Sequence, residues 1–314
     1  MRTVYAHNNL LPADHCAGVF HANNPFMQPN DSVSRAGVYV DRWNLSDPVL
    51  IAETATSWIY KVARKKGGAA ALKLLKPETN EDERLGGQLL NWYAGEGAAR
   101  VYAQTEDATL LEWLNGHALS ELVHQGKDVT ATDIICQIVS QLHQPRQEMV
   151  PELIPLNARF AALFDTNMSK WPFAGRDLLI RAKIIAKALL ETVEEEIPLH
   201  GDLHHDNILF SPRSWVAIDP KGILGDPAYE VANCFQTPWT ATDVCADPGR
   251  INRLADTFEQ RLGFNKARML GFAVSHTALS ACWSVAAGHP VMHQLAILPR
   301  LISAHERESK DLFR

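Results

Sequence analysis

Neither a Cys-x-x-Cys pair nor a helical His-Glu-x-x-His pattern occurs in this chain of 314 residues. Its five cysteines, at 16, 136, 234, 245 and 282, are odd in number, far apart and mostly set among apolar neighbours. That usage excludes a disulfide-stapled scaffold and reads as ordinary thiols of a reducing compartment. Basic excess is missing too. The formal net charge is −6, so neither nucleic acid nor an anionic membrane is expected as the main partner. The first residues, Met-Arg-Thr-Val-Tyr-Ala-His-Asn-Asn, lack the apolar run of a signal peptide, and a cytoplasmic location is the expectation. One long stretch without charge runs from Met269 to Pro299. His276, Ser280, Ser284 and a Gly288-His289-Pro290 break interrupt it, so it reads as two buried helices rather than a membrane span. Internal repeats and low-complexity tracts are also lacking. What remains is a globular protein, 46% hydrophobic and 21% charged, of one large or two coupled domains.

The stretch His200-Gly201-Asp202-Leu203-His204-His205-Asp206-Asn207-Ile208-Leu209-Phe210 reads as a strand end, a tight polar loop and a second short strand. A hydrophobic strand, Trp215 to Ile218, then stops at Asp219-Pro220. Phosphoryl transfer needs one carboxylate to orient and deprotonate the attacking hydroxyl, and separate oxygen ligands for the magnesium of the nucleotide. The spacing Asp-x-x-x-x-Asn followed by a strand-terminal Asp matches the catalytic loop and metal aspartate of kinases. Asp202 is therefore read as the base, with Asn207 and Asp219 on the metal. The histidines at 200, 204 and 205 beside Asp206 raise a rival, a transition-metal site. A third reading is a purely structural polar turn.

Upstream, residues 1–35 are polar and irregular and read as an N-terminal arm. Residues 36–45 carry apolar residues at helical intervals, with Trp43 expected against the following sheet. Residues 36–114 then read as a five-stranded antiparallel sheet with one inserted helix. Strands are expected at 49–53, 58–63, 69–75, 99–104 and 109–113, with a turn at Lys65-Lys66-Gly67-Gly68. Lys73 shares a strand face with Ala71 and Leu75, and a lysine among apolar neighbours is costly unless an anion reaches it. It is assigned to nucleotide phosphates. The turn Glu53-Thr54-Ala55-Thr56-Ser57 is not Gly-x-Gly-x-x-Gly, yet its backbone N–H groups and hydroxyls, Ser57 among them, suit phosphate oxygens. A helix over 79–93 places Glu83, Gly87 and Leu90 on one face, so Glu83 is expected to pair with Lys73, with Glu81 as the rival. At the end of the sheet the Glu112 carbonyl and Leu114 N–H offer an adenine ring the acceptor and donor it needs beside an apolar slot.

Residues 115–314 read as a mainly helical lobe holding the catalytic loop and the substrate site. Helices are expected at 118–123, 130–143, 156–164, 177–193, 250–262 and 267–287, and an apolar one from near Val231. Asp226 reads as a helix cap rather than a substrate ligand. The fold class is α+β, in two lobes.

With these residues in hand, the chain resembles the aminoglycoside phosphotransferase family, which has a protein-kinase-like fold. The streptomycin 6-phosphotransferase and hydroxyurea kinase group looks nearest. The resemblance is carried by VDRWNL, IAETATSWIYKV, ALKLLKP, LLEWLNG, HGDLHHDNILF and AIDPKGILGDPAYEVA, over roughly residues 38–235. It implies ATP-dependent O-phosphorylation of a small, cationic, hydroxyl-bearing molecule, with Mg2+ as cofactor. It also supports the roles given above to Asp202, Asn207, Asp219, Lys73, Glu112 and Leu114. Two departures stand out. Glu230 occupies a position where many relatives carry Asp, and Gly86-Gly87 loosen the helix expected to present Glu83. Lys221 is read as reaching a phosphate or the substrate hydroxyl. Two rivals to an antibiotic kinase remain, a kinase of another small metabolite and a catalytically silent nucleotide-binding module.

Overall fold

The computed structural model describes residues 30–77, 79, 81–171 and 175–311. Most of the N-terminal arm, residues 1–29, lies outside the described residues. Its last part does not behave as an arm. Residues 30–35 belong to helix α1 (Asn30–Arg42).

Strands β1 (Leu45–Glu53), β2 (Ser57–Arg64), β3 (Ala69–Leu75), β4 (Val101–Gln104) and β5 (Ala108–Glu112) form one antiparallel sheet in the order β1-β2-β3-β5-β4. Helix α2 (Glu81–Trp92) is inserted between β3 and β4 and carries three acidic residues in its first turn, where the helix dipole favours them. Strand alternation sorts the side chains by face. Trp58, Tyr60, Val62, Leu72 and Leu74 pack under Ala36 and Tyr39 of α1. Ala71 and Leu111 point the other way and join Leu89, Leu90 and Tyr93 in a second core. Trp43 is half-buried against the first of these layers.

That second core does not end at the sheet. It runs on into Ile135, Ile138 and Leu142 of the helical lobe. Backbone pairing reinforces the junction: Ala99 N donates to Ala217 O at 2.9 Å, and Ala217 N donates to Gly97 O at 2.8 Å.

The helical lobe contains α3 (Ser120–His124), α4 (Asp128–Leu142), α5 (Leu156–Arg159), α6 (Ala161–Phe164), α7 (Arg176–Glu191), α8 (Thr242–Cys245), α9 (Pro248–Leu262), α10 (Lys266–Ala286) and α11 (Met292–Asp311). Short strands β6 (Ile154–Pro155), β7 (Ile197–Leu199) and β10 (Ile223–Gly225) make a three-stranded sheet, while β8 (Ile208–Phe210) and β9 (Trp215–Ala217) form a hairpin. Helix α10 is long and apolar enough to cross a membrane, but nearly all of it is buried between α7 and α11. The apolar run from Val231 forms only a 3-10 turn, Ala232–Phe235, not the helix its composition predicts. Pro238 follows within three residues and cannot donate to a continuing helix.

Candidate active site

Strand β7 delivers the chain to the polar loop through Gly201, whose φ of +76° suits glycine. A Cβ there would lie 2.3 Å from the Ile223 side chain. Behind the loop sits Glu230, 1% exposed. Its carboxylate accepts hydrogen bonds from His200 N at 2.9 Å and Gly201 N at 3.1 Å, and lies 3.1 Å from His143 Nε2. Burial opposes ionisation of Glu230, but the hydrogen bond and charge of His143 outweigh it and hold the carboxyl below its usual range. The residue noted in the sequence only as a departure is thus the anchor of the loop backbone.

The loop is then fixed from within. Asp202 Oδ1 accepts from Asn233 Nδ2 at 2.9 Å, and Asn207 Nδ2 donates to the Asp202 carbonyl at 3.0 Å. Nothing in the sequence pattern marked Asn233. The three histidines do not converge. His200 sets Nε2 2.9 Å from the Ile218 carbonyl, while its Nδ1 accepts from Asp202 N. His204 Nδ1 accepts from Asp206 N, and His205 Nδ1 lies 3.0 Å from Thr237 Oγ1. Burial pushes the pKa of His200 down and that of His205 far down, so both rings stay neutral. These separate engagements remove the geometric basis for the transition-metal alternative.

Strand β9 ends one residue before the loop-facing pair Ile218 and Asp219. Ile218 N donates to Asn207 O at 2.9 Å, which fastens the two candidate metal residues to one backbone frame. Asp219 adopts φ +60°, unusual for a side-chain-bearing residue. Its carboxylate meets the ammonium of Lys73 on β3, and Lys73 Nζ also reaches Glu83 Oε2 at 2.6 Å. Glu81, the rival partner, instead pairs with Arg84 at 2.9 Å on the surface. Lys221 closes the group. Its Nζ pairs with Glu83 Oε1 and lies 3.5 Å from Asp219 Oδ2. Two lysines and two carboxylates therefore alternate around a ring. Burial opposes the charge on Asp219, yet Lys221 and then Lys73 overcome it and hold the carboxyl far below the usual range. For Glu83, burial and Asp219 push upward, but Lys221 and Lys73 prevail. Burial also works against the Lys73 ammonium, and Asp219 with Glu83 more than offsets it.

Gly86 does not loosen this arrangement. A Cβ on Gly86 would stand 1.8 Å from the Pro220 carbonyl oxygen, so the glycine lets helix α2 lie directly on the backbone that follows Asp219. The expectation that Lys221 reaches a phosphate or substrate is replaced by its burial, at 4% exposure, in the pair with Glu83.

Around the nucleotide end the picture is mixed. Ser57 was expected among the phosphate donors. It is 2% exposed, its hydroxyl lies 3.0 Å from Thr54 Oγ1, and Thr54 Oγ1 accepts from Ser57 N at 2.9 Å. The turn uses its hydroxyls to staple itself, in the manner of Ser/Thr turns. Glu112 ends β5, and its carboxylate accepts from Arg100 N at 2.8 Å and from Arg213 at 2.6 Å. Arg213 also donates to the carbonyls of Gly95 and Ala98, both at 2.7 Å. It clamps the passage between the lobes, a role invisible in the sequence. Leu114, two residues beyond Glu112, is buried.

A hard divalent cation takes oxygen donors. The Asp219 carboxylate, held ionised, and the Asn207 side-chain oxygen, left over once its amide nitrogen binds Asp202 O, fit that preference.

Residues 42–288 match the family described as aminoglycoside/hydroxyurea antibiotic resistance kinase. The streptomycin 3''-kinase of Klebsiella pneumoniae is 37% identical over 268 residues, covering 82% of this chain and 95% of that one. The streptomycin 6-kinase of Streptomyces griseus is 28% identical over 278 residues, covering 86% and 87%. In fold, the chain resembles a thermostable mutant of aminoglycoside phosphotransferase APH(4)-Ia in complex with AMP-PNP and hygromycin B. The TM-score is 0.63 at 14% identity, over 87% of this chain and 98% of that one. Sequence, fold and the lysine-carboxylate ring beside the polar loop converge, and the chain belongs to the aminoglycoside/hydroxyurea antibiotic resistance kinases, ATP-dependent enzymes that phosphorylate a hydroxyl of a small molecule.

Proposed function

We propose that the acceptor is streptomycin and that its 3''-hydroxyl receives the phosphoryl group, the position named for the relative with 37% identity. The observation that carries the chemical part is the frame joining Asp202, Asn207 and Asp219. One loop and one strand end, bonded to each other through Ile218 N and Asn207 O, stand opposite Lys73.

In this reading Asp202 accepts a hydrogen bond from the acceptor hydroxyl and aims it at the γ-phosphorus of ATP. Asn233 holds Asp202 Oδ1 in a fixed orientation, which leaves Oδ2 to take the acceptor's hydrogen bond. As the new O–P bond forms, the bond to the β-phosphate oxygen breaks, ADP leaves, and the hydroxyl proton passes to Asp202. Lys73 leaves Asp219 and neutralises phosphate charge. Asn207 and Asp219 would hold Mg2+, which supplies charge neutralisation to the phosphate oxygens. The protein positions groups and stabilises charge, with little covalent work of its own. A cationic acceptor suits the chain's net charge of −6. Dependence on ATP and the buried, unpaired thiols of Cys136, Cys234, Cys245 and Cys282 fit a cytoplasmic setting.

The test is ADP release by the purified protein with streptomycin, hygromycin B, hydroxyurea and a set of amino alcohols, followed by NMR of the product. Streptomycin 3''-phosphate is expected. ADP release with an amino alcohol and none with streptomycin would overturn the substrate assignment. Asp202→Ala should keep nucleotide binding and lose about 10²- to 10⁴-fold in turnover; parental turnover refutes the base.

A further inference from the structure

The ring of charges contains one lysine more than a single phosphate-binding lysine and its glutamate require. Glu83 uses its two oxygens separately, Oε2 for Lys73 and Oε1 for Lys221. Both Glu83 and Lys221 are almost fully enclosed, with side chains 7% and 6% exposed. Lys221 is fixed from its backbone as well, its N donating to the His200 carbonyl at 2.7 Å. On either side of it, Pro220 touches Gly86, and Gly222 lies against Leu85 so closely that a Cβ would meet the Leu85 carbonyl carbon at 2.8 Å.

Charge counting shows what this second lysine does. Lys73 alone faces two carboxylates, Glu83 and Asp219. With Lys221 present the four groups sum to zero; without it they sum to −1, in a site that must admit an anion. A buried carboxylate that loses one cation also draws harder on the one that remains. We propose that Lys221 is a positioning residue for nucleotide binding: it holds Glu83 so that Lys73 is released to the phosphates when Asp219 turns to its cation. The proposal rests on the reading of Lys73 and Asp219 given above.

Equilibrium binding of ADP, with and without Mg2+, tests this in five variants whose folding is checked by thermal melting. Lys221→Met should weaken ADP by about tenfold, in the range for side chains that share one network. Lys221→Arg, which keeps the charge, should recover most of that loss. In a Glu83→Gln background, Lys221→Met should add little further loss, because the residue acts through Glu83. A structural role alone would lower the melting temperature equally in both backgrounds. Parental affinity in Lys221→Met, failure of Lys221→Arg to rescue, or a full additional loss in the Glu83→Gln background each overturns the proposal. Lys73→Met separates the two levels. If it loses ADP while Lys221→Met does not, the role of Lys221 falls alone; if neither loses ADP, the nucleotide site itself is misplaced.

Discussion

Gly86→Ala sets two physical effects against each other. Helix propensity favours alanine over glycine by about 1 kcal/mol in a helix interior, and on that ground the variant should be more stable and fully active. Contact geometry says the opposite. The new Cβ would start 1.8 Å from the Pro220 carbonyl oxygen, with the Pro220 carbonyl carbon at 2.8 Å. Both neighbours are backbone and cannot swing away. Reaching the 3.0 Å below which Cβ contacts essentially never occur takes an opening of 1.2 Å, from 1.8 to 3.0 Å. Glu83 sits one turn earlier on the same helix and Lys221 directly follows Pro220, so an opening of that size would pull the Glu83–Lys221 ion pair apart. Overpacking of this kind costs about 1–3 kcal/mol, enough to cancel or exceed the propensity gain. A misplacement of about 1 Å costs on the order of 10²-fold in rate. Gly87→Ala is the matched control, since its Cβ would meet only side-chain atoms, the terminal amide of Gln104 at 2.8 Å and Thr109 Oγ1 at 3.3 Å; it should gain about 0.5–1 kcal/mol and keep its rate. Steady-state kinetics with varied ATP and thermal melts of both variants decide. A Gly86→Ala protein with parental kcat/KM and a raised Tm would refute the claimed backbone contact.

Glu230→Gln should destabilise by about 1–3 kcal/mol and slow turnover, because an amide nitrogen would face a backbone N–H that now donates to a carboxylate; an unchanged denaturation midpoint refutes the anchor. Stability should also depend on pH in two steps. His200 and His205 are held neutral with folded pKa values below the ordinary value, so the unfolded chain takes up their protons first and stability declines as pH falls below about 6.5. Glu83 and Glu230 have depressed folded values; their contribution is present above about 4.3 and is lost as pH falls further through those values. Urea unfolding between pH 8 and 3 reads both, and a flat profile contradicts them. Arg213→Ala should raise KM for ATP more than it lowers kcat, by loosening Glu112 at the lobe junction; equal changes in both parameters would place its effect elsewhere.

The residues most legible in the sequence are those set by local spacing. Asp202, Asn207 and Asp219 lie within a short span, and period-two and period-3.6 geometry put Lys73 and Glu83 on the faces where they meet. Choosing Glu83 over Glu81 needed the packing of α2, since both stand in its first turn. What stayed hidden was set by contacts between distant parts of the chain. Glu230, Asn233 and Arg213 reach across 30, 31 and 101 positions to their partners, and no local pattern marks such pairs. Gly86 misled because helix propensity is a local quantity, whereas the glycine serves an approach to Pro220. The run from Val231 misled for a related reason: its apolar residues fill the core as a short turn, and burial alone does not specify a helix. Ser57 shows that a hydroxyl suited to a ligand is equally suited to its own turn.

The interior shared by the sheet's inner face and the helical lobe limits how this enzyme exchanges nucleotide. Opening the cleft by swinging the whole sheet away would expose Ala71, Leu89, Leu90 and Tyr93 to water, an expense repeated every cycle. A route for ATP and ADP that leaves these four residues packed avoids that cost.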